Sequence, residues 1–577
     1  MRQFSLLLLS ILFSSTINAQ ITDSGEKTDN FLIEMYNNRF FNGTVLVAEK
    51  GKVVYHKNFG FANPETKEEL SDIASFRLAS VSKQFIGMGI MILQEKGKLN
   101  YDDPIQKYLP ELPYKTVTIR NLLNHTGGLT DYMSLFEKNW DTETPIDDRK
   151  TAFNKDLVAM YAKMKPEIDF APGEKYEYSN TGYVLLGEII ERVSGQPIKR
   201  FLQENIFDKA DMTNTQAFST GNDFTVKNRV YGFEYAPDGN RTIPNDWTFL
   251  NGMIGDGGIY ASAMDMFHWS EGLATEKLVK KSTLQAAFQP AKLNDGTQTD
   301  YGFGWGLEFA DDGHLSGIQH TGGWVGFRTF ISKSFDEERT IILLSSNSTE
   351  AFGDLMRGVS TIWKGGEVTP TKPPITRKIS ELLAVDTDEK MLMEQFAKWQ
   401  EKEADNYSFD ERQINNLGYQ YLGKQEIDKA IMVFKLNIKT YPESANAYDS
   451  LGEAYLENAK INYQKAYKMN PSNNFAKDIL TKLDVLVEEE SVDISEDILN
   501  KYVGKYQLTP NFIIAVTKEG KTLFVQATGQ PKLEIAPLSK SKFYLKNVDA
   551  QVTFTEGAAS LILHQGGMNQ EAKRMKD

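Results

Sequence analysis

The sequence predicts a chain of several domains: an α/β domain, a short α-helical repeat region and a small all-β domain at the C-terminal end. Three observations carry this reading. β-rich runs stand at both ends of a helix-rich stretch within the first 365 residues. A Leu-Gly-x-x-Tyr element then recurs after 34 residues. Short apolar runs follow every ten residues or so toward the end of the chain. A length of 577 residues leaves room for three or four domains of ordinary size.

The elements follow in chain order. Arg2 precedes a mostly apolar run, Phe4 to Phe13, and Ile17-Asn18-Ala19 ends it before Gln20. Residues 1–19 therefore read as an export signal. A run of about ten apolar residues is too short for a bilayer span, which needs about 20. The expectation is an exported protein, periplasmic or secreted, with no membrane span after signal cleavage. Residues 20–365 form the α/β domain. In it, Gly43-Thr-Val-Leu-Val-Ala and Val53-Val-Tyr-His-Lys-Asn-Phe flank Glu49-Lys50-Gly51-Lys52, a hairpin signal. A long helix is expected from about Val81 to Lys96, closed by Gly97, and another from Gly182 to Val193. Thr340-Ile-Ile-Leu-Leu-Ser reads as a buried strand, in a sheet joining the hairpin to strands near 318–346.

Gly365, Gly366, Pro370, Pro373 and Pro374 mark a break, so 366–405 reads as a linker and helix. Residues 406–487 carry the recurrence. Leu417-Gly418-x-x-Tyr421 returns as Leu451-Gly452-x-x-Tyr455, at the tetratricopeptide period. Ala430, Phe434 and Pro442 continue the first copy; Ala459, Tyr463 and Pro471 continue the second. The second is five residues shorter between Tyr455 and Ala459, so a tightened turn or clipped helices are expected. Two copies are few for a self-sufficient solenoid, so they pack on another part of the chain or on a protein partner. Residues 494–577 read as a small antiparallel barrel or sandwich. Its strand-like runs begin at Tyr502, Phe512, Thr522, Lys542, Gln551 and Ser560.

Acidic residues outnumber basic ones 78 to 64, a net charge of −14, which repels phosphate backbones and anionic lipid; no nucleic-acid partner is expected. The chain has no cysteine, which removes disulfides, thiolate nucleophiles and thiolate metal sites. Six histidines remain without a His-Glu-x-x-His pair, so no metal and no cofactor are expected.

Ser80-Val81-Ser82-Lys83 is the first chemical element. Residues i and i+3 share a helix face, so Lys83 reaches Ser80. A serine hydroxyl needs such a base to become a nucleophile. The helix start adds backbone N–H groups for a developing oxyanion. Ser24/Lys27 and Ser539/Lys542 share the spacing, but neither opens a long apolar helix. Tyr178-Ser179-Asn180 is the second element. A Lys83 ammonium beside Tyr178 would favour phenolate and make it a proton shuttle. Asn180 offers an amide to a substrate carbonyl and to Lys83. His-Thr-Gly-Gly occurs at 125–128 and 320–323. The first copy looks like a helix stop, and His125 structural. The second precedes a strand pattern along which substrate could lie, with His320, Thr321 and Gly322 binding its anionic or carbonyl end. The N–H of Gly323 is a candidate oxyanion donor. No Gly-x-Ser-x-Gly motif is present.

Ser-x-x-Lys, Tyr-x-Asn and His-Thr-Gly in this order resemble the serine beta-lactamase and penicillin-binding protein superfamily, in its class C beta-lactamase, D-alanyl-D-alanine carboxypeptidase and esterase branch. The resemblance covers about residues 30–365 and includes Leu122-Leu-Asn-His-Thr-Gly-Gly-Leu129 and Gly255-Asp-Gly-Gly-Ile-Tyr260. It implies an antiparallel sheet flanked by helices plus an all-helical part. It implies that Ser80 is acylated, that Lys83 and Tyr178 share acid/base work, and that Asn180 and His320-Thr321 hold substrate. The N–H groups of Ser80 and Gly323 would form the oxyanion hole. Class C enzymes carry lysine where His320 stands. A neutral imidazole pulls less on a carboxylate, which favours an ester or peptide substrate over a beta-lactam. A different class of function also fits: a penicillin-binding sensor or non-turnover binding protein whose repeats contact a partner.

Overall fold

A computed structural model describes residues 23–218, 226–236, 241–471, 473–483, 485, 492–546, 548, 550–566 and 568–576. The expected export signal lies outside them. The chain folds as two units, Met1–Pro373 and Pro374–Asp577.

The first unit is built on helix α1 (Asp23–Asn37) and a six-stranded sheet that begins with the expected hairpin, β1 (Gly43–Glu49) and β2 (Lys52–Phe59). Lys50 and Gly51 both take positive φ, 49° and 71°. That is the turn whose twist matches paired strands. Helices α2 (Lys83–Glu95) and α3 (Asn180–Ser194) dominate the middle of the unit. The remaining strands are β3 (Gly306–Phe309), β4 (Leu315–Trp324), β5 (Phe327–Ser334) and β6 (Arg339–Ser345), and α4 (Phe352–Trp363) follows. Strand order is β3-β4-β5-β6-β1-β2, antiparallel throughout. The hairpin thus joins the late strands as the sequence predicts, with Gly43 opposite Ser345 and Glu49 opposite Arg339.

Both faces of this sheet are covered, and the alternation of side chains divides them. Val45, Val47, Ile341 and Leu343 pack with Phe31, Leu32 and Met35 of α1 and Leu355, Val359 and Ile362 of α4. Leu46, Ala48, Ile342 and Leu344 face the larger core of the helical side. Each such aliphatic side chain contributes about 1.5–3 kcal/mol by leaving water.

In α2, every residue from Lys83 to Leu93 is buried. A helix apolar all round belongs at the centre of a domain. α3 is set by its ends: Ser179 accepts the Gly182 N–H at 3.3 Å, and Gly195 closes the helix in the left-handed conformation. These two helices and β4 converge on the Ser80 turn.

The second unit opens with helices α5 (Thr376–Leu383) and α6 (Glu389–Lys402), where the sequence reading had a linker and helix. They share a core with α7 (Glu411–Gly423) and α8 (Ile427–Thr440), which form the first copy of the recurrence. The second copy departs from expectation. No turn was tightened and no helix clipped: Ala445–Met469 is one continuous helix, α9. Leu456-Glu457-Asn458, between Tyr455 and Ala459, holds neither glycine nor proline, so nothing stops it. Helix α10 (Asn474–Lys482) follows.

Helix α11 (Glu496–Tyr502) leads into a closed antiparallel barrel of eight strands. These are β7 (Gly504–Thr509), β8 (Phe512–Glu519), β9 (Thr522–Ala527), β10 (Leu533–Pro537), β11 (Lys542–Leu545), β12 (Ala550–Phe554), β13 (Ser560–Gln565) and β14 (Met568–Arg574). β14 closes the circle on β7, with Tyr506 opposite Arg574. Closure removes unpaired strand edges. Tyr502 lies in α11 and stacks on Phe554, ring centroids 4.1 Å apart. Among the described residues no helix is long and apolar enough to cross a membrane.

Candidate active site

Strand Phe76–Arg77 pairs with Ile259–Ala261 and delivers the chain into a 3-10 turn, Ala79–Ser82, directly before α2. Ser80 thus sits in a tight turn ahead of the α-helix rather than in its first turn. Ala79 has φ +50°. A left-handed conformation at a residue with a side chain costs about 1–3 kcal/mol. Leu78 is tied on both sides: its N–H donates to Ile259 O at 2.8 Å and its carbonyl accepts from Thr329 Oγ1 at 2.7 Å. The half-buried Ser80 hydroxyl faces an open cleft of about 480 Å³, lined by Ser80, Met133, Asn180, Asp256, Gly323 and Trp324, with Arg328 at its edge.

Lys83 has no solvent exposure. Its Nζ lies 3.1 Å from Ser80 Oγ and donates to Asn180 Oδ1 at 2.8 Å and to the Asp256 carbonyl at 3.0 Å. Burial pushes the ammonium down to about 7, against the opposing charge of Asp256. Burial likewise raises the Asp256 carboxyl above its ordinary range, opposed first by Lys83 and then by the Tyr132 hydroxyl, 2.9 Å away.

Tyr178 exposes 41% of its surface, yet its phenol is desolvated, with the Ser80 side chain beside it. Its ring centroid lies 4.2 Å from that of His125, the planes tilted by 35°, and 4.8 Å from Lys83 Nζ. The surroundings favour the neutral phenol over the expected phenolate. Desolvation raises the phenol, the buried Asp256 charge adds to this, and only the Ser80 hydrogen bond opposes. His125 is structural in its contacts, its Nδ1 accepting the Ser179 N–H at 3.0 Å and so holding the Tyr178–Asn180 turn.

The second His-Thr-Gly-Gly lies on β4, along the cleft wall, but its residues divide. His320 is buried, its ring centroid 6.3 Å from that of Tyr178. One nitrogen meets Tyr301 OH at 2.8 Å and the other the Thr321 carbonyl at 2.6 Å. Burial and the Lys83 charge hold the imidazole down to about 3, so it is neutral. Both ring nitrogens are thus engaged within the chain. Gly322 is buried and faces the Ser80 turn: a Cβ there would stand 2.3 Å from Leu78 O and 2.3 Å from Thr329 Oγ1. Glycine is what lets the strand approach the turn this closely. Thr321 is exposed, and Gly323 lines the cleft.

Two cleft residues escape the sequence reading. Arg328 stands opposite Gly323 across the β4–β5 ladder. Its guanidinium donates to the carbonyls of Val325 and Phe327 and to Ser348 Oγ, and among the described residues it forms no ion pair with a carboxylate. Asp256 reaches Lys83 through its backbone, and its flanking Gly255 and Gly258 both take positive φ; that glycine pattern was the available signal. Among the described residues no cluster of His, Asp or Glu is placed to hold a metal ion.

The Beta-lactamase family model matches residues 31–358 of this chain, more than half its length. The chain belongs to the beta-lactamase and penicillin-binding protein superfamily. A relative described as Penicillin-binding protein 4* of Bacillus subtilis (strain 168) is 30% identical over 550 residues, covering 93% of this chain and 95% of the relative. A second from that organism, Putative penicillin-binding protein PbpX, is 30% identical over 327 residues, 56% of this chain and 74% of the relative. Among solved structures, the octameric penicillin-binding protein homologue from Pyrococcus abyssi matches 96% of this chain and all of its own, with TM-score 0.51 and 18% identity. The D-amino acid amidase from Ochrobactrum anthropi SV3 matches 60% of this chain and 99% of its own, with TM-score 0.50 and 23% identity. At these identities the two structures speak for the fold. The superfamily is one of serine hydrolases, and the Ser80 cleft lies within the stretch that defines it.

Proposed function

We propose that this protein is a hydrolase working through an acyl-enzyme on Ser80, acting on an ester, a D-amino-acid peptide or amide, or a beta-lactam. The bonding of Lys83 carries this reading. Two of its three neighbours, Asn180 Oδ1 and the Asp256 carbonyl, only accept hydrogen bonds. A neutral amine satisfies them with its two N–H bonds and keeps a lone pair for the third, the Ser80 hydroxyl. Burial, which holds the ammonium down to about 7, populates that neutral form near neutral pH.

The steps follow. Ser80 Oγ bonds to the substrate carbonyl carbon as its proton passes to Lys83 Nζ, and the carbonyl electrons move to oxygen. The backbone N–H groups of Ser80 and Gly323 receive that oxyanion. Its collapse breaks the bond to the leaving amine or alkoxide, which takes the proton from Lys83 by way of the Tyr178 phenol. Water repeats the sequence on the acyl-enzyme and frees Ser80. Arg328, charged at every working pH, is the group that would draw a substrate carboxylate.

The test uses a fluorescent penicillin and a fluorophosphonate, since relatives are described as penicillin-binding. One adduct per chain is expected, on the peptide holding Ser80, and none in Ser80→Ala. An adduct on Ser24 or Ser539 would overturn the assignment. Sustained ester turnover after the burst separates a hydrolase from a slowly deacylating binder.

A further inference from the structure

The eight-stranded barrel is packed with rings at one end and hollow at the other. Side chains on its strands alternate between the interior and the outside. Near α11 the interior is filled: the Phe554 ring lies 5.6 Å from that of Phe543 and 5.8 Å from that of Tyr506. Tyr502 of α11 stacks on Phe554, and its hydroxyl donates to the Lys540 carbonyl at 2.9 Å. The helix thus stoppers that end.

Toward the other end the interior side chains are small or aliphatic. Ile514 stands opposite Ala527, Val525 opposite Leu533, and Val552 opposite Leu563. Between them a cavity of about 100 Å³ remains. Eight strands enclose a space that side chains either just fill or leave open to one small ligand. Here Ala527 and Ala550 are too short to fill it. Among the described residues no charged side chain lines the cavity, and the polar side chains on its wall are the amides of Gln530 and Gln565. Both glutamines are exposed, Gln530 between β9 and β10 and Gln565 at the end of β13. They give an apolar cup a neutral rim.

We propose that the barrel is a binding site for the aliphatic chain end of a dissolved amphiphile, which enters tail first and leaves its polar head at the glutamine rim. The wall selects against charge, because an ion inside it would be desolvated and unpaired. The volume selects against bulk. Pockets that enclose drug-sized molecules run to roughly 300–1,000 Å³, and this cup is well below them. A single chain end fits it, and a fused ring system does not. The cup lies within the second unit, and nothing in the Ser80 chemistry bears on it.

The test titrates the full chain with straight-chain alcohols, 1-propanol to 1-octanol, and follows Ile, Leu and Val methyl signals by NMR. Saturable shifts are expected at Ile514, Val525, Leu533, Leu545, Val552 and Leu563. Affinity should rise about fourfold for each added methylene and level off once the cup is full, since later methylenes stay in water. Ala527→Leu fills the cup and should abolish the shifts. The signals of Leu523 and Leu561, buried in the same barrel core, report that this variant folds. Leu533→Ala enlarges the cup and should carry the plateau to a longer chain, and it decides the matter if Ala527→Leu does not fold. Ser80 labelling should not change in either variant. Absence of saturable shifts at every chain length overturns the proposal. So do undiminished shifts in a folded Ala527→Leu, or affinity that climbs without a plateau, as adsorption to the surface would give. Phosphatidylcholine vesicles test the other source of such chains. No flotation with them is expected, and flotation that Ala527→Leu removes would assign the chain to a bilayer and overturn a dissolved ligand.

Discussion

At Lys83, burial and hydrogen bonding act on one proton, and the pH dependence of acylation follows from them. The ammonium is inactive as a base and the amine active. The acylation rate should therefore rise with pH through a midpoint near 7 and fall about tenfold per unit below it. Stopped-flow labelling across pH 5–9 checks this, and a flat profile would remove Lys83 as the base. Lys83→Ala and Tyr178→Phe should each slow acylation by about 10² or more, with the double variant far short of additive. Arg328→Met should lower kcat/KM for carboxylate-bearing substrates by about tenfold relative to neutral esters. His320→Lys should leave that ratio unchanged and lower the melting temperature, because an ammonium would replace an imidazole pinned between Tyr301 and Thr321. Ser80, Lys83, Tyr178 and Asn180 were legible because short spacings at helix starts bring them together. Asp256 was not: it touches Lys83 through a carbonyl that any residue carries. Arg328 was hidden by resembling an ordinary outward-facing strand residue.

At the scale of elements, β4 is held against the Ser80 turn by the missing side chain of Gly322. Gly322→Ala should force the strand away from Leu78 and Thr329, lower stability by about 1–3 kcal/mol and slow acylation, because Gly323 travels on the same strand. Gly323→Ala is the control, since the nearest atom to a Cβ there is 3.6 Å away. Melting and probe labelling of both variants make the comparison, and an unaffected Gly322→Ala would refute the close-approach argument. Hairpin β1–β2, helices α2 and α3 and strand β6 were readable from periodicity and caps. Strands β10 and β14 were not. β10 ends in Pro537, and β14 buries only Ala572. Their places are fixed by ladder hydrogen bonds to neighbours, which local pattern does not encode. The fused α9 was missed for a related reason: a spacing argument assumes a turn, whereas Leu456-Glu457-Asn458 contains nothing to make one.

At the scale of the molecule, the groups around Ser80 all come from the first unit. Lys27 pairs with Glu367, and Val368 packs beside the outer face of the sheet, so that unit runs past the glycine-proline break to Pro373. A chain ending at Pro373 should acylate Ser80 at the full-length rate. Labelling kinetics of the short and full forms, with circular dichroism to show folding, would decide it. A folded short form without labelling would mean that the second unit helps build the site. The two-unit division was only partly visible in the sequence. Proline and glycine marked a boundary region, but α5 and α6 lie beyond it with apolar residues that only the core of α7 and α8 explains.

The register of β1 on β6 also sets a timetable. Gly43 leaves the ribosome about 300 residues before Ser345, its partner. At about 5–20 residues per second that is about 15–60 s of synthesis. Throughout that interval β1 has β2 on one side and an open edge on the other, the kind of edge on which nascent chains adhere to one another. The strands that hold the Ser80 turn, β4 and β5, arrive in the same late segment as β6. Completion of the sheet and assembly of the cleft therefore both await the segment that ends near residue 345.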